Sequence, residues 1–147
     1  MKKIISFIMV VVMTFGMALS VQATENTNDE NNLYGQPFRI IDQNGNVMIT
    51  GRLGISNPTI PVGAGAEWDV NVVTGNNTMS VGVTPAANLQ LQVTNSVGVP
   101  QFTYNSTGAT TYISSVYNSP ASGRGRYRVW NKSSYTITIT QAMFNGN

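Results

Sequence analysis

Apolar residues recur at every second position in a series of short runs. An extended chain with this period puts one set of side chains on one face and the alternate set on the other. Gly, Asn and Pro interrupt the runs at intervals of roughly 10 residues, the spacing of an antiparallel β-sandwich or barrel. No window combines helical apolar spacing with good helix formers.

Nine runs carry the pattern. Residues 38–42 and 47–53 flank Gln43-Asn44-Gly45-Asn46, and Asn-Gly tolerates the positive φ of a tight hairpin turn. Residues 57–66, with Pro58, Pro61, Gly63 and Gly65, read as a loop or edge segment. In 67–74, Trp68, Val70 and Val72 share one face and Glu67, Asp69 and Asn71 the other. Residues 78–84 point Met79, Val81 and Val83 inward, and 89–94 do the same with Leu89, Leu91 and Val93. Runs at 99–104 and 112–117 follow. Residues 126–132 and 135–144 are expected to form a final hairpin around Lys132, Ser133 and Ser134, with Tyr127, Val129, Tyr135, Ile137 and Ile139 turned the same way. The expected fold is all-β: a single antiparallel sandwich, jelly-roll-like, of eight to nine strands.

Ahead of these runs stands an address. Lys2 and Lys3 precede an apolar stretch from Ile4 to Leu19, and Val21-Gln22-Ala23 fits a small-x-small cleavage site. Residues 1–23 therefore read as a bacterial signal peptide. The stretch is shorter than the roughly 20 residues of a spanning helix. Polar sequence follows it at once, so no transmembrane segment is expected after cleavage. Residues 24–33 read as a flexible polar lead-in, and 34–147 as the sandwich domain. Removing 23 of 147 residues leaves 124, enough to bury a core without disulfides.

Cleavage also removes two lysines. What remains carries six bases and six acids, so the basic balance belongs to the precursor. The distribution is split. Residues 24–69 hold all six acids and only Arg39 and Arg52, whereas 70–147 hold Arg124, Arg126, Arg128 and Lys132 and no acid. A neutral net charge argues against a nucleic-acid partner. The chain has no His and no Cys. That removes a Ser-His-Asp triad, a thiol nucleophile, and imidazole or thiolate metal ligands. No enzymatic activity is expected. Ser133 and Ser134 beside Lys132 sit in a predicted turn, with nothing to bury and activate the amine.

Three segments carry a family resemblance. One is the acidic, Asn-rich stretch Asn28-Asp29-Glu30-Asn31-Asn32 before Ile49-Thr50-Gly51-Arg52-Leu53. The next is Glu67-Trp68-Asp69-Val70-Asn71-Val72 before Met79-Ser80-Val81-Gly82-Val83-Thr84. The last is Gly125-Arg126-Tyr127-Arg128-Val129-Trp130-Asn131 before Tyr135-Thr136-Ile137-Thr138-Ile139. Over about residues 28–144 the chain resembles the bacterial pre-peptidase C-terminal domain, a β-sandwich appended to secreted enzymes. The resemblance implies a sandwich with a non-catalytic role. Where that family has an Asp-Leu-Asp-type strand, this chain has Asn88-Leu89-Gln90-Leu91-Gln92.

Two groups of residues could carry function. Glu67 and Asp69 share a strand face about 7 Å apart. They read most simply as a solvated face. With Asp29, Glu30 or Asp42 they could instead hold calcium, which takes six to eight oxygens. Arg126, Arg128, Trp130 and Lys132 alternate along one strand with Arg124 just upstream. Such a stripe suits an anionic polymer, because guanidinium forks onto carboxylate or phosphate and an indole stacks on a ring. It also reads as an exposed strand whose charges discourage edge pairing, with Trp130 packed under a loop. Thr136, Thr138 and Thr140 are expected in a wet row beside it. The N-x-Ser/Thr triplets beginning at Asn76, Asn105 and Asn131 read as turns.

The functional expectation is a secreted, extracellular or surface-associated binding module for an anionic polymer or protein, contacted through Arg124, Arg126, Arg128, Trp130 and Lys132. The alternative is a self-assembling surface protein that uses open strand edges.

Overall fold

The computed structural model describes residues 32–54 and 56–146; the expected leader at 1–23 and most of the lead-in at 24–33 lie outside the described residues. The protein is an antiparallel β-sandwich. Its strands are β1 (Pro37–Ile41), β2 (Val47–Arg52), β3 (Thr59–Ile60), β4 (Gly65–Val72), β5 (Gly75–Ala87), β6 (Leu89–Asn95), β7 (Pro100–Asn105), β8 (Thr110–Ser119), β9 (Gly123–Asn131) and β10 (Ile137–Gly146). Nine of the ten correspond to the alternating runs. The tenth, β3, is a two-residue strand inside the segment read as loop or edge.

One sheet has the order β2-β1-β4-β9-β6-β7 and the other β3-β10-β5-β8. Only β1–β2 and β6–β7 are consecutive strands in one sheet; every other connection crosses the sandwich. The expected hairpin of the last two strands is therefore corrected. β9 lies between β4 and β6, while β10 lies between β3 and β5 in the opposite sheet. Alternation fixes which residues face inward, and it does so identically on either side of a sandwich. Thr138 accordingly pairs with Thr84 of β5, and the threonine row does not flank the arginine strand.

The inward sets meet in one core. Ile137 and Ile139 from one sheet and Tyr127 and Val129 from the other are all essentially inaccessible to solvent. Trp68 stacks on Tyr127 with centroids 5.8 Å apart, and Phe144 packs against Tyr127 at the same distance, tilted by 40°. The Tyr127 hydroxyl donates to the Ser80 carbonyl at 3.1 Å, a polar tie from β9 to β5 through the core. The Nε1–H of fully buried Trp68 has no partner among the described residues.

Two buried asparagines fasten the crossings. Asn131 Nδ2 donates to the carbonyls of Ile60, Pro61 and Tyr135, and its Oδ1 accepts from the Ser133 amide. Asn77 Oδ1 accepts from the Val73 amide and its Nδ2 donates to the Val73 and Gly75 carbonyls. Backbone groups on a crossing cannot join a ladder, and an amide side chain satisfies them. Asn32 already bridges to Met143, and the Leu33 amide donates to the Ala142 carbonyl. The chain thus joins the sandwich just before the expected boundary at residue 34.

Candidate functional site

Pairing of β4 with β9 joins the two oppositely charged halves of the chain. Glu67 lies opposite Arg128 and Asp69 opposite Arg126; on the other flank Arg39 of β1 lies opposite Glu67. Inward alternation of Trp68, Tyr127 and Ile40 forces all five charged side chains onto the outer face of the six-stranded sheet.

Glu67 is at the centre of this face and is 3% exposed. Its Oε1 accepts from Arg39 Nε at 2.9 Å and its Oε2 from Arg128 Nε at 2.6 Å, with Arg126 Nη1 at 3.8 Å from Oε2. Arg39 also forks onto Asp69, at 3.0 and 2.6 Å. This bidentate bond raises the Arg39 guanidinium above its ordinary value, and the same bond lowers the Asp69 carboxyl, with Arg126 and Arg124 adding to the effect.

The solvated face read for Glu67 and Asp69 is corrected for Glu67, which three arginines cover. As the expected calcium ligands, the two acids share a face but direct their oxygens at arginine. Asp42 spends its carboxylate on the Asn44 and Asn46 amides and the Asn46 side chain in the β1–β2 turn. Among the described residues no group of three or more acids converges as a metal site.

The basic stripe is also redrawn. Arg126, Arg128 and Trp130 do share the outer face, but they are not equally available. Arg128 is committed to Glu67. Trp130 is only 9% exposed: its ring lies on Gly65, where a Cβ would come within 2.8 Å of Cε3. Its Nε1 points at Gln92 Oε1 at 3.4 Å, and Lys132 Nζ lies 5.7 Å from the ring centroid. A stacking platform is therefore not presented at Trp130. The alternative reading, in which Trp130 packs away rather than facing a ligand, fits its burial, although its cover is Gly65 and Gln92 of neighbouring strands and not a loop.

The available cations lie at the other end of β9. Arg124 is exposed, and no carboxylate among the described residues pairs with it. Arg124 and Arg126 line a cleft of about 380 Å³, together with Asp69, Asn71, Ser96 and the backbone of Gly125. Gly125 lets β9 pass close to β6 between these two arginines, since a Cβ there would stand 2.7 Å from the Thr94 carbonyl oxygen. Arg124 also lines a second, smaller cleft of about 200 Å³ that opens between the sheets at Tyr117 and the 119–122 loop. Alternation already places Asn71 of β4 on the face of Asp69, whereas nothing in the sequence points to Ser96, which joins from the β6–β7 turn.

No family model matches the chain, and no characterised protein matches it at a significant level. Solved structures match parts of it. A CBM22-1–GH10 two-module structure of the Clostridium thermocellum N-terminal endo-1,4-β-D-xylanase 10B, complexed with xylohexaose, matches 80% of this chain at 13% identity and TM-score 0.47. TmCBM61 in complex with β-1,4-galactotriose matches 75% of it at 10% identity and TM-score 0.38. A family GH115 4-O-methyl-α-glucuronidase with specificity for decorated arabinogalactans matches 60% of it at 13% identity and TM-score 0.42. The chain spans 14% of the glucuronidase, 28% of the xylanase structure and 82% of TmCBM61. The likeness to the pre-peptidase C-terminal domain rests on the sequence segments alone.

Proposed function

We propose that this protein is a secreted, non-catalytic binding module that holds an anionic extracellular polymer across Arg124 and Arg126. One observation carries the reading. Of the four arginines on β1 and β9, Arg39 and Arg128 donate hydrogen bonds to Glu67 or Asp69, whereas Arg124 and Arg126 open onto a cleft, Arg126 reaching Glu67 only at 3.8 Å. The internal pairs hold the sheet face rigid. The surplus positive charge therefore lies at the cleft, where planar guanidinium forks suit the carboxylates of an acidic glycan. Asp69 in the same cleft is held chiefly by the Arg39 fork and offsets only part of the charge of Arg124 and Arg126.

Co-sedimentation with cross-linked polygalacturonate tests the proposal. Binding at low ionic strength that weakens steeply as salt rises is the expected result. Retention that is indifferent to salt, or no retention at low salt, contradicts it.

A second reading, self-assembly through strand edges, is favoured by β2. This edge strand exposes Val47, Met48 and Ile49 in succession, each more than half accessible. Sedimentation velocity over a wide concentration range separates the two readings, because only assembly makes the sedimentation coefficient climb with concentration.

A further inference from the structure

A second concave surface lies where the edge strands of the two sheets meet, away from every arginine. β7 ends the six-stranded sheet and β8 ends the four-stranded one, and the 106–109 turn joins them. Between them is a groove of about 410 Å³ walled by Tyr104 of β7, Tyr112 of β8 and the turn residues Ser106 and Thr107. Tyr104 is 38% exposed and Tyr112 49% exposed. Neither phenol makes a hydrogen bond among the described residues, and no charged side chain lines the groove.

The walls are fixed from behind. The Ser106 amide donates to the Leu89 carbonyl at 2.8 Å, and Ser106 Oγ accepts from the Leu89 amide at 3.0 Å. Thr110 Oγ1 donates to the Tyr112 carbonyl at 2.6 Å and accepts from the Tyr112 amide at 3.2 Å. Ser114 Oγ donates to the Met79 carbonyl at 3.2 Å. Thr110 thus fixes the backbone at Tyr112 and Ser106 fixes the turn, and neither phenol oxygen is used in holding the fold.

From this groove we infer a second binding site, for a neutral saccharide. A pyranose ring has an apolar C–H face and a rim of hydroxyls. A tyrosine offers a matching pair, an aromatic face with a donor–acceptor oxygen at its tip. Two tyrosines from different sheets, with a hydroxyl-bearing turn between them, grip such a ring without any charge. The groove lies within the size range of small-molecule sites. An anionic guest finds no cation here, and a purely apolar guest would strand the free hydroxyls. The site is independent of the arginine cleft on β9.

The test is an immobilised panel of neutral gluco-, xylo-, galacto- and manno-oligosaccharides, followed by titration calorimetry on the best binder. Tyr104→Ala and Tyr112→Ala each weaken binding roughly tenfold, the scale of one lost aromatic contact with its hydrogen bond. Circular dichroism confirms that both variants fold; each loses some melting temperature, since Tyr104 and Tyr112 are only 38% and 49% exposed. Arg124→Ala with Arg126→Ala leaves neutral-sugar binding unchanged. Failure to bind any member of the panel overturns the assignment. So does binding that survives both tyrosine substitutions, or binding that is lost with the arginines instead.

Discussion

Glu67 and Arg128 are 61 positions apart in the chain and directly opposite one another across β4 and β9, joined by a 2.6 Å hydrogen bond between Arg128 Nε and Glu67 Oε2. This pair divides the basic residues into two kinds. Arg39 and Arg128 donate to Glu67 and hold the sheet together, whereas Arg126 reaches Glu67 only at 3.8 Å and, with Arg124, lines the cleft.

Glu67→Gln removes the negative centre and leaves Arg39 and Arg128 without full partners. Burial of Glu67 makes the loss costly, but Arg39 is 30% exposed and water compensates in part. A destabilisation of about 2 kcal/mol is expected. Urea denaturation with an unchanged m-value measures it. The same variant frees positive charge on the face, so polygalacturonate should bind it more tightly than the wild type.

Asn131→Ala removes a side chain that serves three carbonyls and one amide at a point where three segments meet. Leaving buried backbone groups unpartnered should cost about 2–4 kcal/mol. Asn131→Asp should cost at least as much, since it turns a carboxylate oxygen toward those carbonyls. Thermal unfolding of the two variants checks the order.

The strand pattern was legible because period two is a local property. Leu89, Leu91 and Val93 alternate with Gln90, Gln92 and Thr94, and the first set is fully buried as expected. The Asn44-Gly45 turn was legible because Gly45 takes a φ of 83°. Partnership between strands was not legible. Five residues separate β9 from β10, a length that fits a hairpin and fits a step across the sandwich equally well. The charge split was visible at once. Its meaning required the register of β4 on β9, which is set by core packing on the opposite face.

Acid should weaken the fold through Asp69, whose carboxyl is held below its ordinary range chiefly by the Arg39 fork. A carboxyl with a lowered folded value stabilises the protein fully above the unfolded value near 4. That contribution is lost as pH falls through the folded value. Asp69 is 72% exposed, so the effect stays below about 1 kcal/mol. Melting curves from pH 6 to 2 should show a shallower acid limb in Asp69→Asn than in the wild type.

Alkali should act through Tyr127, which burial pushes well above the ordinary phenol value. A raised folded value leaves stability intact below the unfolded value near 10, and stability declines as pH rises beyond it. Tyr127→Phe should remove this alkaline contribution. It should also cost about 1 kcal/mol at neutral pH, from the lost bond to the Ser80 carbonyl. Melting temperatures recorded between pH 8 and 11 measure both effects.

Gly65→Ala should disturb Trp130 directly, because the new methyl would stand 2.8 Å from the indole ring. The ring must lift from the sheet, at a cost of about 1–3 kcal/mol. A red shift in tryptophan emission marks its exposure, with fully buried Trp68 as the internal reference.

The division between structural and available arginines is tested most directly by removing equal charge in two places. Affinity for soluble polygalacturonate is measured by calorimetry at low salt for the wild type, for Arg124→Ala with Arg126→Ala, and for Arg52→Ala with Lys132→Ala. Loss of binding in the first double variant, with the second close to wild type, is the predicted result. Equal loss in the two variants, or binding that survives removal of Arg124 and Arg126, would contradict the account.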